Sequence, residues 1–85
     1  MKYKITFTRR AARELEEVAG PDRQRIGKRI DLLAENPRPN GVRKLQGADN
    51  LYRIRAGDFR VIYSIDDGLL TILVIRVGNR RDIYE

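Results

Sequence analysis

The chain contains no cysteine, no histidine and no tryptophan, and only one methionine among 85 residues. Without cysteine there are no disulfides, no thiolate nucleophile and no cysteine metal centre. Without histidine the commonest metal ligand is missing, as is the side chain that ordinarily carries protons at neutral pH. Any enzyme built from this sequence works without imidazole or thiol. No apolar run approaches the roughly 20 residues of a membrane-crossing helix, so no span is expected. The opening segment alternates like a strand and lacks both the apolar block and the small-residue cleavage site of a secretory leader, so a cytoplasmic location is expected.

The basic residues are present in excess. Eighteen Lys and Arg face twelve Asp and Glu, for a net charge of +6, and the basic set is fourteen arginines to four lysines. Solubility would be served equally well by lysine. Guanidinium grips phosphate and carboxylate in two-pronged fashion, so arginine bias points to an anionic partner. Residues 1–37 and 38–85 each carry nine basic and six acidic side chains. The excess is therefore no basic tail, and any concentration of charge has to come from folding. A length of 85 residues allows one domain spanning 1–85 with a modest core, and 41% hydrophobic with 35% charged residues suits a globular chain.

Residues 2–8 alternate, with Tyr3, Ile5 and Phe7 on one side, and predict a strand. Thr8 then caps a helix over 9–19 whose apolar positions are Ala12, Leu15, Val18 and Ala19, with Glu14, Glu16 and Glu17 on the wet side and Gly20 as the stop. Pro21 and Asp22 open a second helix carrying Ile26, Ile30 and Leu33, which ends before the Pro37 to Gly41 connection. Beyond it, 42–45 reads as a short edge strand, and 51–56, 59–66 and 69–77 as a meander joined by Gly57-Asp58 and Asp67-Gly68.

If both loops hold two residues, position 56 faces 59 and 66 faces 69. Arg55 then lies opposite Arg60, Arg53 opposite Ile62, Arg60 opposite Ile75 and Ile62 opposite Leu73. One side carries Tyr52, Ile54, Phe59, Val61, Tyr63, Ile65, Leu70, Ile72 and Val74, a core face for the helix hairpin to cover. The other carries Arg53, Arg55 and Arg60 around a partly apolar floor. Like charges directly across a ladder are unfavourable by up to about 1 kcal/mol, so this crowding makes sense where an anion sits. The expected architecture is α+β: a mainly antiparallel four-stranded sheet, a helix hairpin on one face and a basic site on the other.

The order strand, helix hairpin, meander, with Lys44-Leu45-Gln46-Gly47, Leu51 to Arg55, Asp58 to Tyr63 and Val77 to Tyr84, resembles the RelE side of the RelE/ParE toxin superfamily. The resemblance runs nearly end to end. It implies a bacterial or archaeal toxin that cleaves messenger RNA in the ribosomal A site and is held inactive by a small RelB-like antitoxin. It further implies a catalytic cluster of Arg53, Arg55, Arg60, Arg80 and Tyr84, with Arg43, Lys44 and Arg81 contacting RNA. No metal or other cofactor is expected, since the ribose 2′-hydroxyl supplies the nucleophile. The best-known members carry lysines at the positions of Arg53 and Arg55 and have slightly more chain after the tyrosine. Two rivals have distinct expectations: a ParE-like toxin acting on DNA gyrase, and a catalytically silent RNA-binding module of the same fold.

Overall fold

A computed structural model describes residues 2–47 and 50–79. Arg80, Arg81 and Tyr84, all expected in the site, lie outside the described residues. Strand β1, Lys4–Phe7, leads into α1, Arg9–Glu16, and α2, Gly20–Leu33. Then come β2, Arg43–Lys44, β3, Leu51–Ala56, β4, Phe59–Asp66, and β5, Thr71–Asn79. The sheet has the order β1-β5-β4-β3-β2, with β1 parallel to β5 and the other pairs antiparallel. It thus holds five strands where four were expected, because the short 42–45 segment pairs as an edge strand and β1 joins β5.

Thr8 starts α1 as anticipated. Its backbone is extended, its Oγ1 accepts from the Ala11 amide at 3.0 Å, and the same hydroxyl donates to the Ile75 carbonyl at 3.1 Å. The helix is shorter than its apolar spacing suggests, ending at Glu16, and it buries Ala11 rather than Ala12. Gly20 does not stop it. That glycine begins α2, with Pro21 in the first turn, where a missing amide hydrogen is harmless. Ile26, Ile30 and Leu33 are buried as their spacing predicts, and they meet Tyr52, Ile54, Val61, Tyr63, Ile65, Ile72 and Val74 in one apolar cluster.

The two hairpins differ. Between β3 and β4 the register is the expected one, Ala56 opposite Phe59, and Gly57 takes φ +63° in the turn. Between β4 and β5 the first pair is Asp66 with Thr71, so the loop holds four residues instead of two. Leu70 takes the left-handed conformation at φ +52°, and Asp66 closes the loop by accepting from the Leu69 amide at 3.0 Å. Slipping by two residues preserves the inward face, so Ile72 and Val74 stay in the core. An irregularity then falls after the Tyr63–Val74 pair, leaving Ile75 as the extra residue and bringing Val77 inward. Arg60 consequently lies opposite Gly78, and Ile62 opposite Arg76, correcting the expected partners Ile75 and Leu73.

Candidate phosphate-binding face

Among the described residues, four arginines share the sheet face that the helices leave uncovered. The ladder sets Arg43 across from Arg53, Arg53 across from Ile62, and Arg55 across from Arg60. Alternation explains the sidedness: Tyr52, Ile54 and Ala56 of β3 point into the core, so Arg53 and Arg55 point away. Ile62, buried beside them, supplies the apolar floor. Gly41, Arg43, Arg53 and Arg55 line an open recess of about 540 Å³. A neighbouring recess of about 680 Å³ is lined by Val42, Arg43, Lys44 and Gln46. Lys44 itself lies opposite Tyr52, so its register position belongs to the helix side and not to the arginine face.

Arg53 is only 7% exposed. Burial, and then the charges of Arg60, Arg43 and Arg55, pull its pKa below the ordinary arginine value. An anion in the recess would relieve that strain. Arginine remains a poor proton donor or acceptor even so, and the contribution of this cluster is charge and geometry.

Two polar assemblies escaped the sequence reading, and both brace the frame around this face. Glu14, placed on the wet side of α1 by its spacing, reaches β5 instead. Its carboxylate accepts from the Val77 amide at 2.9 Å and from Arg76 Nε at 3.2 Å, with Arg76 Nη2 at 3.1 Å. This fixes the strand just beyond its irregularity. Asp67 is more than a turn residue. It accepts from Arg38 at 2.9 Å and from the Tyr3 hydroxyl at 2.7 Å, tying the proline-bearing connection, the residue just ahead of β1 and the β4–β5 loop together. Arg38 also lies 5.2 Å from the Tyr52 ring centre, and Tyr52 stacks on Tyr63, whose hydroxyl donates to the Pro37 carbonyl at 2.7 Å. Burial raises the Tyr63 pKa. The bond from Arg38 holds the Asp67 carboxylate below the usual range. A proline on each side of Arg38 was the sequence signal that this segment is held in place.

The fold and this arginine-lined face fit one class of protein. Residues 5–84 match the model of the family described as the ParE toxin of type II toxin–antitoxin systems, and the chain belongs to that family. Within it, the chain is a RelE-type toxin. It is 31% identical over 90 residues to toxin RelE3 of Methanocaldococcus jannaschii, covering 96% of each. It is 30% identical over 82 residues to the mRNA interferase toxin RelE of Escherichia coli K12, covering 94% of this chain and 85% of that one. Its fold matches the toxin in the archaeal RelE–RelB complex of Pyrococcus horikoshii with a TM-score of 0.84 at 28% identity, over 98% of this chain and all of that one. None of the described helices is long and apolar enough to cross a membrane.

Proposed function

We propose that this toxin is a metal-independent endoribonuclease that cuts messenger RNA in the ribosomal A site, acts in the cytoplasm, and is neutralised by a RelB-like antitoxin. The observation that carries the reading is the register that sets Arg55 against Arg60 beside the Arg43–Arg53 pair, on the face free of helices. A sheet gains nothing in stability from such crowding. The mRNA interferase name of the Escherichia coli relative supports the chemistry, and the RelE–RelB complex supports the partner.

The reaction is attack of the ribose 2′-oxygen on the adjacent phosphorus. The P–O2′ bond forms, the P–O5′ bond breaks, and the products are a 2′,3′-cyclic phosphate and a 5′-hydroxyl. Arg60, with Arg80 two residues beyond Gly78 in sequence, holds the non-bridging oxygens as negative charge builds on them. Arg53 and Arg55 neutralise the backbone and favour the ionised 2′-oxygen, whose proton passes to water. Tyr84 donates a proton to the departing 5′-oxygen. Its phenol, near 10 when unperturbed, is better suited to that role than to a base. Arg43 and Arg81 contact the RNA beyond the reacting phosphate, whereas Lys44, on the helix side of β2, does not take part. Positioning and charge supply the acceleration, so Arg60→Ala should slow cleavage about 10²- to 10³-fold while the protein stays folded.

Primer extension on ribosome-bound message tests this: wild type cuts within codons, and Arg60→Ala does not. The family description also names ParE toxins, which favours the gyrase-directed rival as the second reading. Arrested replication with intact messages would establish it instead.

A further inference from the structure

The irregularity in β5 decides which residue meets Arg60. The ladder runs unbroken from Asp66–Thr71 to Tyr63–Val74, then passes over Ile75, so that Ile62 pairs with Arg76, Val61 with Val77 and Arg60 with Gly78. Had the register continued without a break, Val77 would stand opposite Arg60 on the arginine face, and Gly78 opposite Phe59. The extra residue thus exchanges a branched side chain for none at the place facing Arg60. Gly78 has no backbone reason to be glycine, since it does not take the left-handed conformation and lies within a strand that runs on to Asn79. Glycine weakens a strand interior, and it marks places where another group comes close.

The irregularity is held from α1. β1 pairs with β5 only as far as Phe7 and Val74, after which the chain turns into the helix. From there the start and the last turn of α1 serve the edge of β5. The Thr8 amide donates to the Val74 carbonyl at 2.9 Å, its hydroxyl donates to the Ile75 carbonyl at 3.1 Å, and Glu14 accepts from the Val77 amide at 2.9 Å. The extra residue is therefore bracketed on both sides. Arg76, whose register partner is Ile62, has its guanidinium drawn to this edge by Glu14 at 3.1 Å.

We infer that this irregularity is part of the site: it keeps the place across from Arg60 clear of side chain so that the reacting phosphate lies against that arginine, and Glu14 is the positioning residue that holds it. This rests on the nuclease reading for the role of Arg60. A glycine kept for folding and a glycine kept for the site predict opposite results. A Cβ at Gly78 would stand about 4.5–5.5 Å from that of Arg60, so a valine there crowds whatever the guanidinium holds. Valine is also a better strand former than glycine, so the same change should not weaken the sheet.

The test is Gly78→Val, with Gly78→Ala as a milder step, each melted by circular dichroism and assayed by primer extension on ribosome-bound message. Gly78→Val should melt at or above wild type yet cut about 10²-fold more slowly, the cost of misplacing a reacting group by about 1 Å. Gly78→Ala should fall between the two. In an Arg60→Ala background Gly78→Val should add less than about threefold, because both changes act on one contact. Glu14→Ala should slow cutting at temperatures where it is fully folded, and Glu14→Gln, which keeps an oxygen for the Val77 amide, should restore most of the rate. Cutting by Gly78→Val at the wild-type rate overturns the inference, as does a loss that multiplies with Arg60→Ala. So does a Gly78→Val that fails to fold beside a Gly78→Ala that cuts at full rate. Equally slow Glu14→Ala and Glu14→Gln overturn the positioning role of Glu14. Titration of 2′-O-methylated UpU, which 2′-oxygen attack cannot cleave, into the intact protein by NMR separates this inference from the nuclease reading. Gly78→Val should bind it at least about tenfold more weakly than wild type, and equal binding overturns the inference. Intact messages with that weakening discard only the nuclease, and in-codon cuts made equally by Gly78→Val discard only the role given to Gly78.

Discussion

Replacing Arg53 with methionine should make the free protein more stable and a poorer RNA binder at once. Arg53 is 7% exposed, and burial followed by Arg60, Arg43 and Arg55 disfavours its charge. Like charges across a ladder cost up to about 1 kcal/mol, and Arg43 is the direct cross-strand neighbour. Methionine keeps an unbranched apolar stem on the Ile62 floor and removes the charge. The expected gain is about 1 kcal/mol, or roughly 4–8 °C in melting temperature for a domain of this size. It should shrink between 0.1 M and 1 M salt, as the screening length falls from about 10 Å to about 3 Å. With RNA at a hundred times its Kd the order should reverse, because wild type gains about 2.7 kcal/mol from binding and the variant gains less. Thermal unfolding by circular dichroism, with and without oligonucleotide, reads all three effects. If Arg53→Met melted several degrees below wild type at low salt without ligand, the claim that this face is strained for the sake of a phosphate would be refuted.

Three further variants probe the frame. Glu14→Ala removes the acceptor of the Val77 amide and of Arg76 at a site where the carboxylate side chain is 20% exposed, so denaturant unfolding should show a loss of about 2–3 kcal/mol. A cycle with Arg76→Ala should return a smaller coupling, since the amide contact persists without arginine. Asp67→Asn tests a pH dependence. The Asp67 pKa is depressed, first by Arg38 and then by Tyr3, so its contribution is present above the unfolded carboxylate value and is lost as pH falls through the lower folded value. The gap between wild type and Asp67→Asn should therefore close below about pH 4, and a gap that persisted in acid would exclude an ionic clamp. Gly57→Ala places a Cβ 2.8 Å from Arg25 Nη1 at φ +63°. The arginine can swing away, so the loss of about 1 kcal/mol should persist in an Arg25→Ala background, as expected for backbone strain.

The β3–β4 hairpin was readable because Gly57 supplies the positive φ that a two-residue loop demands, and that loop alone sets Arg55 against Arg60. The β4–β5 hairpin misled because Asp67-Gly68 offers the same chemistry without using it. Gly68 does not take the left-handed conformation, Leu70 does, and Asp66 caps a longer loop. The slip by two residues left the inward face unchanged, which is why the core was legible while the partners of Arg60 and Ile62 were not. Glu14 shows a different limit. Helical periodicity sorts residues into faces, but a carboxylate at the margin of a face finds its partner only when a bulged strand presents an amide and an arginine together. The Arg38–Asp67 clamp joins residues 29 positions apart through a connection without periodicity, which pattern reading does not reach.

The most direct measurement is to map the ends of ribosome-bound messenger RNA after exposure to the purified toxin. New 3′ ends within codons, carrying a 2′,3′-cyclic phosphate and vanishing with Arg60→Ala, are the outcome the arginine face predicts. Messages that stay whole in the presence of wild type, or are cut equally by the variant, would contradict it.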